Sequence, residues 1–192
     1  QEIRFAMAPA KIRIFLKKLV KDEFLKKTVG DQSRRMLNQE LVIRFLAFHE
    51  MNYDVQGAKN ITTFLDEMMK KMKVADDNEL NRLETVFALS MSRCWRIFGE
   101  DAFEKKNSEN EFRRKRKNST LFEIWSVALA KLSEKEFANL LDRKNILIQK
   151  HDFMMSNDQG YFRAITFSTE KREHFRIRHG KVKELIAEVL ND

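Results

Sequence analysis

Apolar side chains recur along this chain at steps of three and four, the spacing of one face of an α-helix. Over residues 9–29, Ile12, Phe15, Leu16, Leu19, Val20 and Phe24 share a side, while Lys11, Lys17, Lys18, Lys21, Lys26 and Lys27 fall largely on the other. That pattern predicts one amphipathic helix stopped at Gly30. Residues 39–52 read differently, because Leu41, Val42, Ile43, Phe45, Leu46, Ala47 and Phe48 surround the axis and only Arg44 interrupts them. A helix apolar on nearly every side belongs at the centre of a bundle.

Asn60 is placed to cap a third helix carrying Ile61, Phe64, Leu65, Met68 and Met72. Asn78 introduces a fourth, with Leu80, Leu83, Phe87, Met91, Cys94 and Phe98 running up to Gly99. The period then fails, and about residues 104–118 are expected to form a flexible basic loop. It resumes over residues 121–132, strongly apolar around Glu123, and Ser133 with Glu136 matches a capping box for a helix running toward residue 155. A turn cluster at residues 157–160, a short apolar segment at 161–167 and a last helix over about 169–190, bent or divided at Gly180, complete the chain. One proline and five glycines are too few for the turns of a many-stranded sheet. The expectation is an all-α chain, one domain over residues 1–192, built as an irregular bundle of about seven to eight helices without internal repeats.

Charge narrows the partners. Lys and Arg outnumber Asp and Glu by 37 − 29 = 8, which favours anionic partners such as DNA without specifying one. The single cysteine, Cys94, sits among apolar neighbours and has no disulfide partner in the chain, as expected in a reducing compartment; a cytoplasmic protein is the reading. No apolar run reaches the length of a membrane span, so no membrane partner is expected. Gln1 is not an initiator methionine, and the chain is expected to be part of a longer protein.

Chemistry-bearing residues are sparse. His49, His151, His174 and His179 lack metal-ligand spacing and read as packing or surface histidines, so no metal is expected. Cys94 shares the helical face of Leu83, Phe87 and Met91, where burial blunts a thiol. The glycines are isolated from one another and form no phosphate-cradling loop, so no cofactor is expected in this segment. Arg113, Arg114, Lys115, Arg116 and Lys117 form the sharpest electrostatic feature, able to contact nucleic-acid phosphates or simply to solvate a loop. Arg44 and Glu123 each interrupt an apolar helix; a charge there needs a partner, and the two are expected to meet each other or Arg178 as structural buried polar groups. The competing reading, a catalytic carboxylate beside an arginine, lacks a visible second carboxylate.

Glu2, Ile3 and Arg4 followed by Ala6, then the segment from Glu40 through Arg44, Phe45 and Leu46 to Phe48, then Tyr53 and the Phe64 and Leu65 pair form an ordered series. Phe98 and Gly99 with Ala102 and Phe103, Leu121 to Glu123, and Phe162, Ala164, Thr166 and Phe175 through Arg178 continue it. This order resembles the C-terminal helical region of domain-of-unknown-function family 262, which includes the GmrSD-type bacterial restriction endonucleases, although Phe5 stands where the family has asparagine. The resemblance implies an N-terminal ParB/sulfiredoxin-like domain with an Asp-Gly-Gln-Gln-Arg motif, which these residues do not contain. It also implies a full-length endonuclease that uses a nucleotide and a divalent metal.

Three functions are therefore expected, in order. The first is a non-catalytic helical scaffold supporting the N-terminal domain of an anti-phage restriction protein and contacting DNA. The second is an autonomous nucleic-acid-binding module. The third is a protein-protein module exposing apolar residues near its start, such as Phe5, Met7 and Phe15.

Overall fold

The computed structural model of the chain describes residues 2–30, 37–53, 60–105 and 117–191. Among the described residues the structure is helical, with no strand beyond an isolated antiparallel bridge between Glu104 and Lys117. The helices are α1 (Glu2–Ala6), α2 (Ala10–Leu19), α3 (Glu23–Val29), α4 (Leu37–Glu50), α5 (Ile61–Val74) and α6 (Asp77–Phe98). They continue with α7 (Ser119–Ala130), α8 (Glu134–Asp142), α9 (Lys144–Asn157), α10 (Gln159–Thr166) and α11 (Arg172–Asn191). The all-α class holds, but eleven helices stand among the described residues where about seven to eight were expected.

Local chemistry accounts for most of the difference. The expected helix over residues 9–29 is two, because the Asp22 carboxylate accepts from the Leu25 amide at 2.8 Å and caps a new helix. The helix expected to run from Ser133 toward residue 155 divides at Arg143, whose backbone leaves the helical region at φ −102° and ψ 15°. The segment around residues 161–167 is itself helical, started by Asp158, whose carboxylate accepts from the Tyr161 amide at 2.9 Å. Asp76 rather than Asn78 caps α6, accepting from the Glu79 amide. α11 runs through Gly180 undivided.

Other boundaries follow the sequence. Asn60 and Thr63 form a reciprocal capping box for α5, as Ser133 and Glu136 do for α8. Gly99 ends α6 at a φ of 57°, a left-handed conformation that costs glycine little.

Two helices lie at the centre. On α4, Leu41, Val42, Ile43, Phe45, Leu46, Ala47 and Phe48 are all buried, and on α7 Leu121, Phe122, Ile124, Trp125, Val127 and Leu129 are buried likewise. Each is apolar almost all round, so each is stable only when other helices cover it. α7 packs against α4, α6 and α11. This arrangement brings a charge on each of α4, α7 and α11 to one point. Among the described residues, no helix is long and apolar enough to cross a membrane.

Candidate functional site

Glu123 projects from the middle of α7 and is 0% exposed. Its Oε1 accepts from Arg178 Nε at 2.9 Å and Nη2 at 2.7 Å, both from α11. Its Oε2 accepts from Arg44 Nη1 of α4 at 2.8 Å. His179, the neighbour of Arg178, places Nε2 3.0 Å from Oε1. Thus Arg44, Glu123 and Arg178, the three lone charges singled out in the sequence, are joined in one cluster. Glu123 and Arg178 are fully buried; Arg44 differs from the expectation and sits at the rim, because its long stem carries the guanidinium to the edge of the core.

The electrostatics follow from this packing. Burial pushes the Glu123 carboxyl up, but the Arg178 charge, the His179 hydrogen bond and Arg44 outweigh it and hold it at about 2. Burial pulls the His179 imidazole below its ordinary value, against the opposite pull of Glu123. At neutral pH His179 is therefore uncharged and donates from Nε2, since a carboxylate can only accept. Its ring lies tilted against Phe175 at 4.3 Å and stacks with Phe48 at 5.9 Å. Arg178 Nη1 donates to the Thr169 carbonyl at 2.6 Å, tying the start of α11 to the same point. A carboxylate so fully donated to, in a site closed to water, is suited to fastening helices and poorly suited to exchanging protons with a substrate.

Of the basic run, Arg113, Arg114, Lys115 and Arg116 lie outside the described residues. Lys117, read as able to contact phosphate or to sit in a solvated loop, has its Nζ paired with Glu104 at 2.8 Å and donating to the Ala102 carbonyl at 3.0 Å. The bridge of Lys117 to Glu104 and the bond from the Asn118 amide to the Phe103 carbonyl at 2.8 Å hold these chain ends together. Phe103 adopts a left-handed φ of 64°, a conformation that costs a side chain about 1–3 kcal/mol, and packs edge-on to Phe122.

Arg93 is a buried charge that sequence reasoning missed. From α6 its Nη1 donates to the carbonyls of Leu129 at 2.8 Å and Leu132 at 2.7 Å, and its Nη2 pairs with Glu134 at 2.6 Å. It thereby caps the C-terminal end of α7, which has no glycine to turn the chain. Other helices, such as α2 and α5, also end without glycine, so the sequence carried no signal specific to Arg93.

The other three histidines each meet a polar group. His151 is buried beside Tyr161, with Nε2 3.1 Å from the hydroxyl, His49 contacts Glu50, and His174 contacts the Phe167 carbonyl. Burial pushes the Cys94 thiol well up. Among the described residues no group of three or more His, Cys, Asp or Glu side chains is placed to hold a metal ion.

Near the start of the chain the exposed apolar residues are not quite those expected. Phe5 and Phe15 are buried, whereas Ile3, Met7 and Ile14 are exposed. Ile3 and Met7 line an open groove of about 500 Å³ between α1 and α5. Compared with known proteins, the chain matches no family model, no curated protein and no solved structure.

Proposed function

We propose that this chain is a non-catalytic helical scaffold: the supporting half of an anti-phage restriction protein of the family 262 type. Its partner on this reading is the N-terminal nuclease or nucleotide-hydrolysing domain of the same protein. The observation that carries the reading is Glu123, the one carboxylate whose sequence setting resembles an acid-base group. It is closed to water and spent on Arg178, Arg44 and His179. The exposed Ile3 and Met7 in the groove along α5 support a partner domain packing on that face, since exposed apolar side chains clustered in a groove mark contact surfaces.

Incubation of the purified chain with duplex DNA, ATP or GTP and Mg²⁺ tests this. No cleavage and no hydrolysis are expected, while the chain co-purifies with the N-terminal domain and loses it when Ile3→Glu and Met7→Glu are combined. Turnover by the isolated chain would end the scaffold reading. The second reading, an autonomous nucleic-acid-binding module, rests on the surplus of eight positive charges. DNA binding by the isolated chain that weakens steeply with salt would favour it instead.

A further inference from the structure

The cluster around Glu123 is one cation in excess. Two guanidiniums, Arg44 and Arg178, face a single carboxylate, and protonating His179 only enlarges the surplus. Arg178 is fully engaged, with Nε and Nη2 on Glu123 and Nη1 on Thr169. Arg44 is not. Its Nη1 serves Glu123 and its Nε is shut off from solvent without an acceptor. Among the described residues its Nη2 has no acceptor, and 12% of the Arg44 side chain is exposed.

Arg44 lines a cavity of about 240 Å³ between α3, α4 and the start of α7. Val29, Leu37, Leu41 and Phe122 give it an apolar wall. Among the described residues its other charged lining groups, Glu40 and Lys117, are already paired. Glu40 holds Arg4 at 2.7 Å, with Asp66 on the other side of that guanidinium at 2.6 Å and open to water. Lys117 holds Glu104 at 2.8 Å. At the mouth, Asn118 and Ser119 bring the N-terminal end of α7, whose dipole adds a partial positive charge. A guanidinium engaged by Glu123 through Nη1 alone therefore lines an apolar-walled space smaller than most drug-sized sites.

We propose that this cavity binds a small organic anion, a carboxylate or phosphate ester on a compact apolar body, whose oxygen pairs with Arg44 while the body packs on Leu37 and the edge of Leu41. The chemistry is charge-assisted hydrogen bonding in a partly dry pocket, where it is stronger than in water. Phosphate-ester and carboxylate ligands share it. The site is independent of the scaffold reading and stands or falls by itself.

Arginine Nε–H resonances of the wild-type chain, followed by NMR, provide the test, because the covered Arg44 Nε–H exchanges slowly. Benzoate and phenyl phosphate are titrated in separate arms, with benzyl alcohol as the uncharged control. A saturable shift of the Arg44 signal is expected with at least one anion, with benzyl alcohol about ten-fold weaker or more. The tighter arm identifies the head group. In Arg44→Lys, which keeps the charge but loses the planar donor, anion affinity should fall about five-fold or more; Lys18→Gln, a surface change, should leave it intact. Benzyl alcohol binding as tightly as benzoate, or no saturation in either anion arm, would overturn the proposal. Those two wild-type outcomes are decisive even if Arg44→Lys fails to fold.

Discussion

Two carboxylates in this molecule have almost the same company and quite different situations. Glu123 meets Arg178, Arg44 and His179 in the interior, where Arg178 is 0% exposed. Glu50, at the end of α4, meets His49, Arg82 of α6 and Lys71 of α5, where Arg82 is 44% exposed. Both carboxyls are held at about 2. They reach it by different routes: at Glu50 the His49 hydrogen bond leads and burial opposes it, whereas at Glu123 burial is the largest influence and is overcome by Arg178, His179 and Arg44 together. Equal acidity therefore does not mean equal structural weight. What separates the two is where the cation goes when its carboxylate is lost, into water for Arg82 and nowhere for Arg178.

The largest effect should come from Glu123→Gln. It leaves the Arg178 charge buried and uncompensated, a situation that costs about 3–5 kcal/mol, a large part of the about 5–15 kcal/mol that holds a typical domain together. Urea denaturation followed by circular dichroism measures it. Combining Glu123→Leu with Arg178→Met removes both charges together, and this double variant should be more stable than Glu123→Gln alone. If the double variant is the worse of the two, the cluster contributes more than mutual neutralisation.

Acid should act on the interior cluster in two windows and on Glu50 in only the lower of them. The folded-state value of His179 is lowered, so the unfolded chain takes up that proton first; its contribution is complete above the ordinary value of 6.5 and is lost as pH falls below it. Glu123 and Glu50 are lowered from 4.5 to about 2, so their contributions hold above 4.5 and fade between there and about 2. Thermal midpoints should start to decline below about pH 6.5. In His179→Gln, which keeps a donor but cannot titrate, the decline attributable to this ring should disappear, leaving the carboxylate window below 4.5. A wild-type midpoint that rises between pH 7 and about 5.5 would show that His179 gains its proton in the fold.

How much of this was legible follows from the range of the interactions. Helical periodicity is local, so the all-α class and the central place of α4 could be read directly. Arg44, Glu123 and Arg178 were visible because two of them break apolar runs, and buried charge needs opposite charge. His179 gave no such contrast: it stands among Arg176, Arg178 and Lys181, and only folding turns it from them toward Glu123. Arg93 was hidden for a related reason, as one more cation on an amphipathic helix whose acceptors lie 36 and 39 residues away. The break at Asp22 was readable as a helix cap and was masked by the apolar stripe continuing through Phe24. The break at Arg143 has no local signal of comparable strength.

The smallest effect should come from Glu50→Gln, and it is the one that makes the comparison strict. Removing this charge leaves Arg82 with Glu79, which it already holds at 2.9 Å, and with water. Lys71 is likewise partly exposed and can solvate its charge. The loss should therefore be about 1 kcal/mol or less and should shrink further in high salt, because exposed pairs are screened while enclosed ones are not. Denaturation midpoints for Glu50→Gln and Glu123→Gln, each at low and high ionic strength, separate the two carboxylates on both size and salt response. A Glu50→Gln loss as large and as salt-insensitive as that of Glu123→Gln would mean that its own enclosure, and not the exposure of its cations, sets the cost.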